Sequence, residues 1–154
     1  MKKASAALEL FPYGLFVVGA GREGNEATIV ATWAMQVSFH PPLVAIAIES
    51  DSHMRRVIEQ ERRFSINFLP AGGLATARAY AKPGTSGKNG ERSVEFSKNG
   101  FLFVRGAAGS IGCTMIGAHE TGDHVTFVGE VVEVSDHPAG PVLTLRDTGW
   151  TYRK

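Results

Sequence analysis

The sequence of 154 residues contains a single cysteine, Cys113, which excludes an internal disulfide and a zinc site built from several cysteines. So little cysteine is typical of proteins in a reducing compartment, and we expect a cytoplasmic protein. The formal net charge is only +1, so neither a nucleic-acid partner nor a partner with an acidic surface is indicated. The chain also lacks an apolar run long enough to predict a membrane-spanning helix.

Recognisable catalytic and metal-binding motifs are scarce. The sequence has no G-x-S-x-G nucleophile elbow. Cys113 lies in the apolar run "GSIGCTMIG", which favours a buried and inert thiol over a reactive one. Histidines with metal-ligand spacing are missing, so we expect no metal site. The five histidines are His40, His53, His119, His124 and His137.

Glycine, in contrast, is frequent, with 18 residues scattered between short apolar segments. This pattern is typical of strands and tight turns in a sheet or barrel. We expect one domain over residues 1–154, since a chain of this length can bury a single core. The predicted strands are Leu8–Val18, Ala27–Phe39, Leu43–Glu49, Phe64–Leu69, Phe101–Ala107, Ser110–His119, His124–Ser135 and Val142–Asp147.

Two segments depart from the β pattern. Ser52–Arg62, "SHMRRVIEQER", places Met54, Val57 and Ile58 on one helical face with charged residues around them. Leu74–Ala81 is rich in alanine and predicts a second short helix. The polar segment that follows, "KPGTSGKNGERSV", predicts a long loop. The composition therefore favours a β-barrel with short helices packed on it.

The stretch "VVGAGREG", residues 17–24, fits the pattern G-x-G-x-x-G of dinucleotide-binding turns. In such a turn a helix begins among the glycines, because its N-terminal amides hold the pyrophosphate. The next residues, Asn25 to Trp33, are instead crowded with β-branched side chains, which favour a strand. We therefore predict two strands joined by a glycine-rich hairpin loop, and the Rossmann turn is the disfavoured alternative.

Three polar stretches are candidates for chemistry, and each has a purely structural alternative. In "WAMQVSFHPPLV" Gln36 and Ser38 alternate with apolar residues, as they also would in any half-buried hairpin. In "ESDSHMRR" a helix capped by Ser50 or Ser52 would offer a phosphate site, or would simply be a capped surface helix. After the turn in "GDH", His124 can donate a hydrogen bond near neutral pH, or it is a satisfied core histidine.

Taken in order, these stretches resemble the flavin reductase-like proteins with the FMN-binding split-barrel fold. The similar segments are "PYGLFVVGA", "GNEATIVATWAMQVSFHPPLVAIAIESDSHMRRVI", "FSINFLPAG", a "GC" in a strand, and "GDHVTFVGEVVEV", and they run from about Phe11 to Tyr152. The resemblance implies a mainly β fold, an antiparallel six-stranded split β-barrel with two or three short helices. It also implies a homodimer with flavin bound in a groove near the dimer interface.

The resemblance further implies roles for individual residues. The strand from Thr32 to Ser38 would line the flavin ring and ribityl chain, and Ser52 and His53 would meet the flavin phosphate. Lys82 would supply a second cation for a phosphate, and His124 would be the catalytic residue beside the nicotinamide or the flavin edge. The implied cofactor-binding residues are Thr28, Ala31, Thr32, Trp33, Ala34, Gln36, Val37, Ser38, Ser52, His53 and Lys82.

By the same resemblance the chain is expected to be an NAD(P)H:flavin reductase. NADH or NADPH would pass a hydride to FMN, or to FAD, and the reduced flavin would go to a partner monooxygenase or another acceptor. One alternative is an FMN-carrying electron-transfer protein, similar to a flavoredoxin, that exchanges electrons with a small redox protein such as a rubredoxin. Another is a binding module that has kept the fold and lost the flavin. Many members of the family have threonine where this chain has Met54, which removes one phosphate contact.

Overall fold

The computed structural model describes residues 6–81, 92–135 and 140–151, and strands dominate these residues. The strands are β1 Phe16–Arg22, β2 Asn25–Ala31, β3 Ala34–Ser38, β4 Leu43–Glu49, β5 Arg63–Phe68, β6 Val94–Phe96, β7 Leu102–Val104, β8 Gly109–Thr121 and β9 His124–Val134. The helices are α1 His53–Glu61, α2 Leu74–Ala81 and α3 Leu145–Thr148. A further helical stretch covers residues 6–8. The predicted mainly β class is confirmed.

The main sheet is antiparallel and has seven strands, in the order β2-β1-β5-β8-β9-β4-β3, whereas six strands were expected. Strands β6 and β7 form a separate two-stranded sheet. Only Thr32 and Trp33 connect the two edge strands β2 and β3. In a flat sheet strands six places apart would lie about 29 Å from each other. Three Cα–Cα steps span at most about 11 Å, so the sheet curls until its edges meet at this connection.

The structure corrects three of the predicted strands. The segment Ala27–Phe39 is two strands, because the chain turns a corner at Thr32 and Trp33. The segment Leu8–Val18 becomes a strand only at Phe16. Val142–Asp147 makes two isolated β-bridges and then enters α3. A strand was predicted there, but the reciprocal capping box between Thr144 and Asp147 starts a helix instead.

Both predicted helices are confirmed, and the first is held at each end. The N-cap of α1 is Ser52, whose hydroxyl accepts a hydrogen bond from the Arg55 amide at 3.2 Å. Helix α1 ends at Arg62, which adopts a left-handed conformation with a φ of 57°. The predicted apolar face is the buried face, and it packs Met54, Val57 and Ile58 into the core.

The hairpin interpretation of "VVGAGREG" is also confirmed. Strands β1 and β2 pair antiparallel up to Arg22 and Asn25, and no helix starts within the glycines. Gly24 has a positive φ of 85°, which glycine adopts without a steric penalty. The Arg22 guanidinium binds the Glu61 carboxylate at 2.7 Å. This ion pair links the hairpin to the end of α1.

Apolar residues fill both faces of the curled sheet. One cluster gathers around Ile46, Phe64 and Phe127 and takes in the buried face of α1. A second cluster lies on the other face of β1 and includes Val17 and Tyr80. Because successive residues of β1 point to opposite faces, Val17 and Val18 enter different clusters.

Candidate functional site

A cavity of about 800 Å³ lies between β2, the start of α1, the end of α2 and the C-terminal segment. Such a volume is within the usual range for sites that bind small ligands and cofactors. Six of the predicted site residues line it, and they come from parts of the chain far apart in sequence. These six residues are Thr28, Ala31, Thr32, Ser52, His53 and His124.

Strand β2 forms one wall of this cavity because it is an edge strand of the sheet. Its residues Thr28, Ala31 and the adjoining Thr32 all face or border the cavity. The hydroxyl of Thr32 is buried, and none of the described residues hydrogen-bonds to it. A buried hydroxyl without a partner is costly, so this atom is available to a polar group of a ligand.

The N-terminus of α1 forms another part of the wall. Ser52 donates a hydrogen bond to the Glu49 carbonyl at 2.8 Å, while its oxygen caps the Arg55 amide. The other amides at this terminus have no partner within the helix, and the helix dipole makes the region attractive to an anion. His53 is exposed and lines the cavity beside Ser52. In this geometry Ser52 can cap the helix while the remaining amides at the same terminus bind an anion.

His124 is buried, with 4% of its surface exposed, and still borders the cavity. Its Nδ1 lies 2.6 Å from a carboxylate oxygen of Asp123. The ring of Trp33 packs on the imidazole with centroids 4.6 Å apart and planes inclined by 44°. The imidazole is thus held by a carboxylate at one nitrogen and by an aromatic ring at its face.

Five predicted cofactor-binding residues do not line this cavity. Trp33 packs against His124 without lining the cavity itself, and Val37 and Ser38 border neither described cavity. Ala34 and Gln36 line a second, mainly apolar cavity of about 380 Å³. The Gln36 amide donates to the Ser38 carbonyl at 3.1 Å. Because the chain turns between β2 and β3, the stretch from Thr32 to Ser38 does not form one continuous wall, and the flavin contacts assigned to these residues stay a prediction. Lys82 lies outside the described residues.

Several cavity residues escaped the sequence reasoning. Tyr80, Leu145 and Trp150 line the cavity, as do Glu26 and Glu49. The aromatic pair comes from α2 and from beyond α3, segments whose positions depend on tertiary packing. The sequence carried a signal only for the hairpin between β1 and β2, because its glycine-rich loop precedes edge strand β2. Such a loop lies at the rim of any cavity that the strand borders.

The electrostatics around the helix terminus are set by Arg55. Its guanidinium binds Glu59 at 3.0 Å and Glu120 at 2.8 Å. The hydrogen bond to Glu59 raises the pKa of Arg55 above its ordinary value, and the charges of Glu120 and Glu59 add to this rise against the opposing effect of desolvation. Arg55 also donates to the Ser50 carbonyl at 3.0 Å. It is therefore committed to holding α1 against the end of β8.

Two further groups are kept neutral by their surroundings. Burial raises the pKa of the Tyr80 phenol, an effect that the charge of Arg92 partly opposes. Burial raises the pKa of the Cys113 thiol to about 12. Cys113 is fully buried, so the prediction of a buried thiol is confirmed, and its raised pKa disfavours the reactive thiolate.

Within the three described segments, no cluster of His, Cys, Asp and Glu side chains is arranged to hold a metal ion. Nor does any helix of residues 6–81, 92–135 or 140–151 have the length and apolar character of a membrane span.

Comparison with protein families identifies the chain. Residues 8–149 match the model of the flavin reductase like domain, so the chain belongs to this family. It is 30% identical over 154 residues to the reductase component of 4-hydroxyphenylacetate 3-monooxygenase from Thermus thermophilus, covering 97% of this chain and 95% of that protein. It is 31% identical to an NADH-dependent FAD reductase from Streptomyces globisporus, over 84% of this chain and 72% of that protein.

Solved structures agree with the family assignment. The NADH:FAD oxidoreductase of Streptomyces globisporus C-1027, in complex with NAD and FAD fragments, superposes with a TM-score of 0.83 at 25% identity, covering 96% of this chain and 89% of that chain. The flavoredoxin of Methanosarcina acetivorans superposes with a TM-score of 0.72 at 18% identity, over 82% of this chain and 69% of that chain. The second likeness concerns the fold alone.

Proposed function

We propose that this chain is an NAD(P)H-dependent flavin reductase that passes reduced FMN or FAD to a separate acceptor. Family membership and relatives that are themselves NADH-dependent flavin reductases support this activity. The structural observation that carries it is the 800 Å³ cavity, because it combines a helix N-terminus, a buried hydroxyl without a partner and a held imidazole.

The residues of this cavity fit a flavin. Phosphate is an anion, and the start of α1 at Ser52 and His53 is the part of the wall suited to it. The Thr32 hydroxyl can hydrogen-bond to the polar edge of the ring system or to the ribityl chain. Thr28 and Ala31 lie along the same wall and leave room for the flat ring. In this arrangement β2 and α1 hold opposite ends of one ligand.

When bound, the flavin supplies the hydride-accepting chemistry. The protein contributes proximity, since holding the nicotinamide and flavin rings together removes the entropic cost of their encounter. His124 orients the nicotinamide through a hydrogen bond, and Trp33 keeps its imidazole in place. The buried apolar side chains around the cavity exclude water from the transfer.

We also infer that the curled sheet is the split barrel of this family and that two copies associate. Support for association comes from apolar side chains left exposed on or directly after edge strand β3 and on β8 and β9. The exposed residues are Met35, Val37, Phe39, Ile116, Val132 and Val134. Where exposed apolar side chains form a patch, the patch marks an association surface. A second copy would complete the wall near Ala34 and Gln36, which line the smaller cavity.

Partners follow from the two-component relatives. The reductase component from Thermus thermophilus belongs to a monooxygenase, and the resorcinol hydroxylase of Rhizobium also has a reductase component in this family. We propose a flavin-dependent monooxygenase as the acceptor of the reduced flavin. Electron transfer to a rubredoxin-like protein is the competing function, and its only support is the similarity in fold to the flavoredoxin.

The decisive experiment follows NADH absorbance with purified protein, with and without added FMN or FAD. NADH consumption that depends on added flavin supports the reductase. A protein that retains FMN through purification and does not oxidise NADH would instead be an electron carrier. Absence of both bound flavin and flavin-dependent NADH oxidation would leave only the binding module.

A further inference from the structure

The side chains of Asp123 and His124 are in contact, and forming the turn does not by itself require this contact. They lie in the β8–β9 hairpin, where Thr121 pairs with His124 and the turn between them consists of Gly122 and Asp123. Gly122 supplies the positive φ of 79° that the turn needs. The Asp123 carboxylate lies against Nδ1 of the neighbouring His124 at 2.6 Å.

This contact fixes which ring nitrogen carries the proton. A carboxylate can only accept a hydrogen bond, so Nδ1 must be the donor. In the neutral imidazole Nε2 is then an acceptor. None of the described residues forms a hydrogen bond with Nε2. Because Nε2 is not one of the buried atoms without a partner, it is accessible. His124 borders the cavity, so Nε2 is available to what the cavity holds.

The turn is anchored to the segment that leads into α1. The Ser50 amide donates to the Asp123 carbonyl at 3.0 Å, and the same junction between β4 and α1 carries Ser52. On the other side the Thr121 hydroxyl donates to the His124 carbonyl at 3.1 Å. The backbone of both partners is thus fixed before any ligand binds, which is what a preorganised contact requires.

We propose that Asp123 is a positioning residue of the reductase. Its carboxylate holds His124 in the tautomer that carries the proton on Nδ1, so that Nε2 meets the nicotinamide nucleotide as a hydrogen-bond acceptor. The carboxamide of nicotinamide has an N–H that suits this acceptor. The inference rests on the proposed function, and it reverses the sequence-based expectation that His124 donates.

The test combines kinetics with nitrogen NMR on Asp123→Asn. The asparagine amide can donate to Nδ1, so the variant should move the proton of His124 to Nε2 in part of the population. We expect kcat/KM for NADH to fall on the order of tenfold, as for loss of the hydrogen bond between Nε2 and the nicotinamide carboxamide. Flavin affinity, measured by fluorescence titration, should not change. The ¹⁵N shifts of labelled histidine, assigned with His124→Gln, report the tautomer directly in alkaline buffer.

Glu130→Gln is the matched control, because it removes a carboxylate from the same strand β9 but at a distance from the cavity. It should leave the tautomer and kcat/KM unchanged. If Asp123→Asn does not fold, Asp123→Ser serves in its place. An active wild-type protein whose Asp123 variants keep both the tautomer and the NADH kinetics overturns the role of Asp123 alone. A wild-type protein without flavin-dependent NADH oxidation overturns the proposed function, and the role of Asp123 with it.

Discussion

The indole of Trp33 packs against the imidazole of His124 with ring centroids 4.6 Å apart. Trp33 belongs to the two-residue connection that joins the edges of the curled sheet, and His124 opens β9. The connection between β2 and β3 therefore contacts His124, a residue that lines the cavity. A substitution that loosens this connection should displace the His124 imidazole more than it displaces the residues of β2.

Replacing Trp33 tests this coupling. Trp33→Leu removes the ring face, so we expect kcat/KM for NADH to fall several-fold, together with a loss of about 2–3 kcal/mol in the free energy of unfolding. Trp33→Phe keeps an aromatic face and should retain most of the NADH kinetics. Steady-state kinetics and denaturant unfolding measure the two effects. Equal NADH kinetics in the two variants would show that the ring contact has no role in catalysis.

Removing the imidazole should affect the kinetics with NADH and the affinity for flavin differently. In His124→Ala the nicotinamide loses its hydrogen bond while the flavin wall at Thr28 and Thr32 is untouched. We expect kcat/KM for NADH to fall by about tenfold or more and flavin affinity to change far less. Stopped-flow reduction of preloaded protein by NADH and flavin fluorescence titration give the two values. Parallel losses in both would remove His124 from the nicotinamide side of the site.

The stability of the fold depends on a buried polar residue, Asn67. Its amide donates to the Val17 carbonyl at 2.9 Å, and its oxygen accepts from the Val104 amide at 2.9 Å and from the Ser110 hydroxyl at 2.7 Å. Asn67→Ala leaves these buried groups without partners, so we expect a loss of about 2–4 kcal/mol. Urea unfolding measures it. Asn99→Ala, at an exposed turn, is the control and should change stability by less than about 0.5 kcal/mol.

How far the sequence could lead is clear from particular elements. Helix α1 was predictable because its cap and apolar face are local properties of Ser52–Arg62. The hairpin at Arg22–Asn25 was predictable from glycine and β-branched residues alone. The break at Thr32 and Trp33 was not predictable, since β-branched and aromatic residues continue through it and only closure of the sheet requires the corner.

The site shows the same division. Ser52, His53 and His124 lie at element ends with recognisable chemistry, and the structure brings them to one cavity. Tyr80 and Trp150 join that cavity through contacts between segments far apart in sequence, which no local pattern encodes. Residues of β3 were grouped with β2 because one long strand was expected, and the corner carries Gln36 to a different cavity.

Edge strand β3 provides a test of association. Met35, Val37 and Phe39 are exposed, and Phe39 keeps 78% of its surface accessible. We expect sedimentation velocity to show a dimer, and Val37→Lys to shift it towards the monomer by placing a charge in the apolar contact. Ala75→Lys, on the exposed side of α2, should leave the dimer intact. A wild-type monomer would exclude an interface on β3.

The helix terminus offers the sharpest test of flavin placement, because capping and anion binding can be separated at Ser52. Aspartate is as good an N-cap as serine, so Ser52→Asp should preserve stability, whereas Ser52→Ala should cost about 1 kcal/mol. The new carboxylate would repel a phosphate at this terminus, so FMN affinity of Ser52→Asp should fall by about tenfold or more. Riboflavin, which has no phosphate, is the matched ligand and should bind both proteins equally. If Ser52→Asp weakens FMN and riboflavin alike, or neither, then the flavin phosphate does not lie at the start of α1.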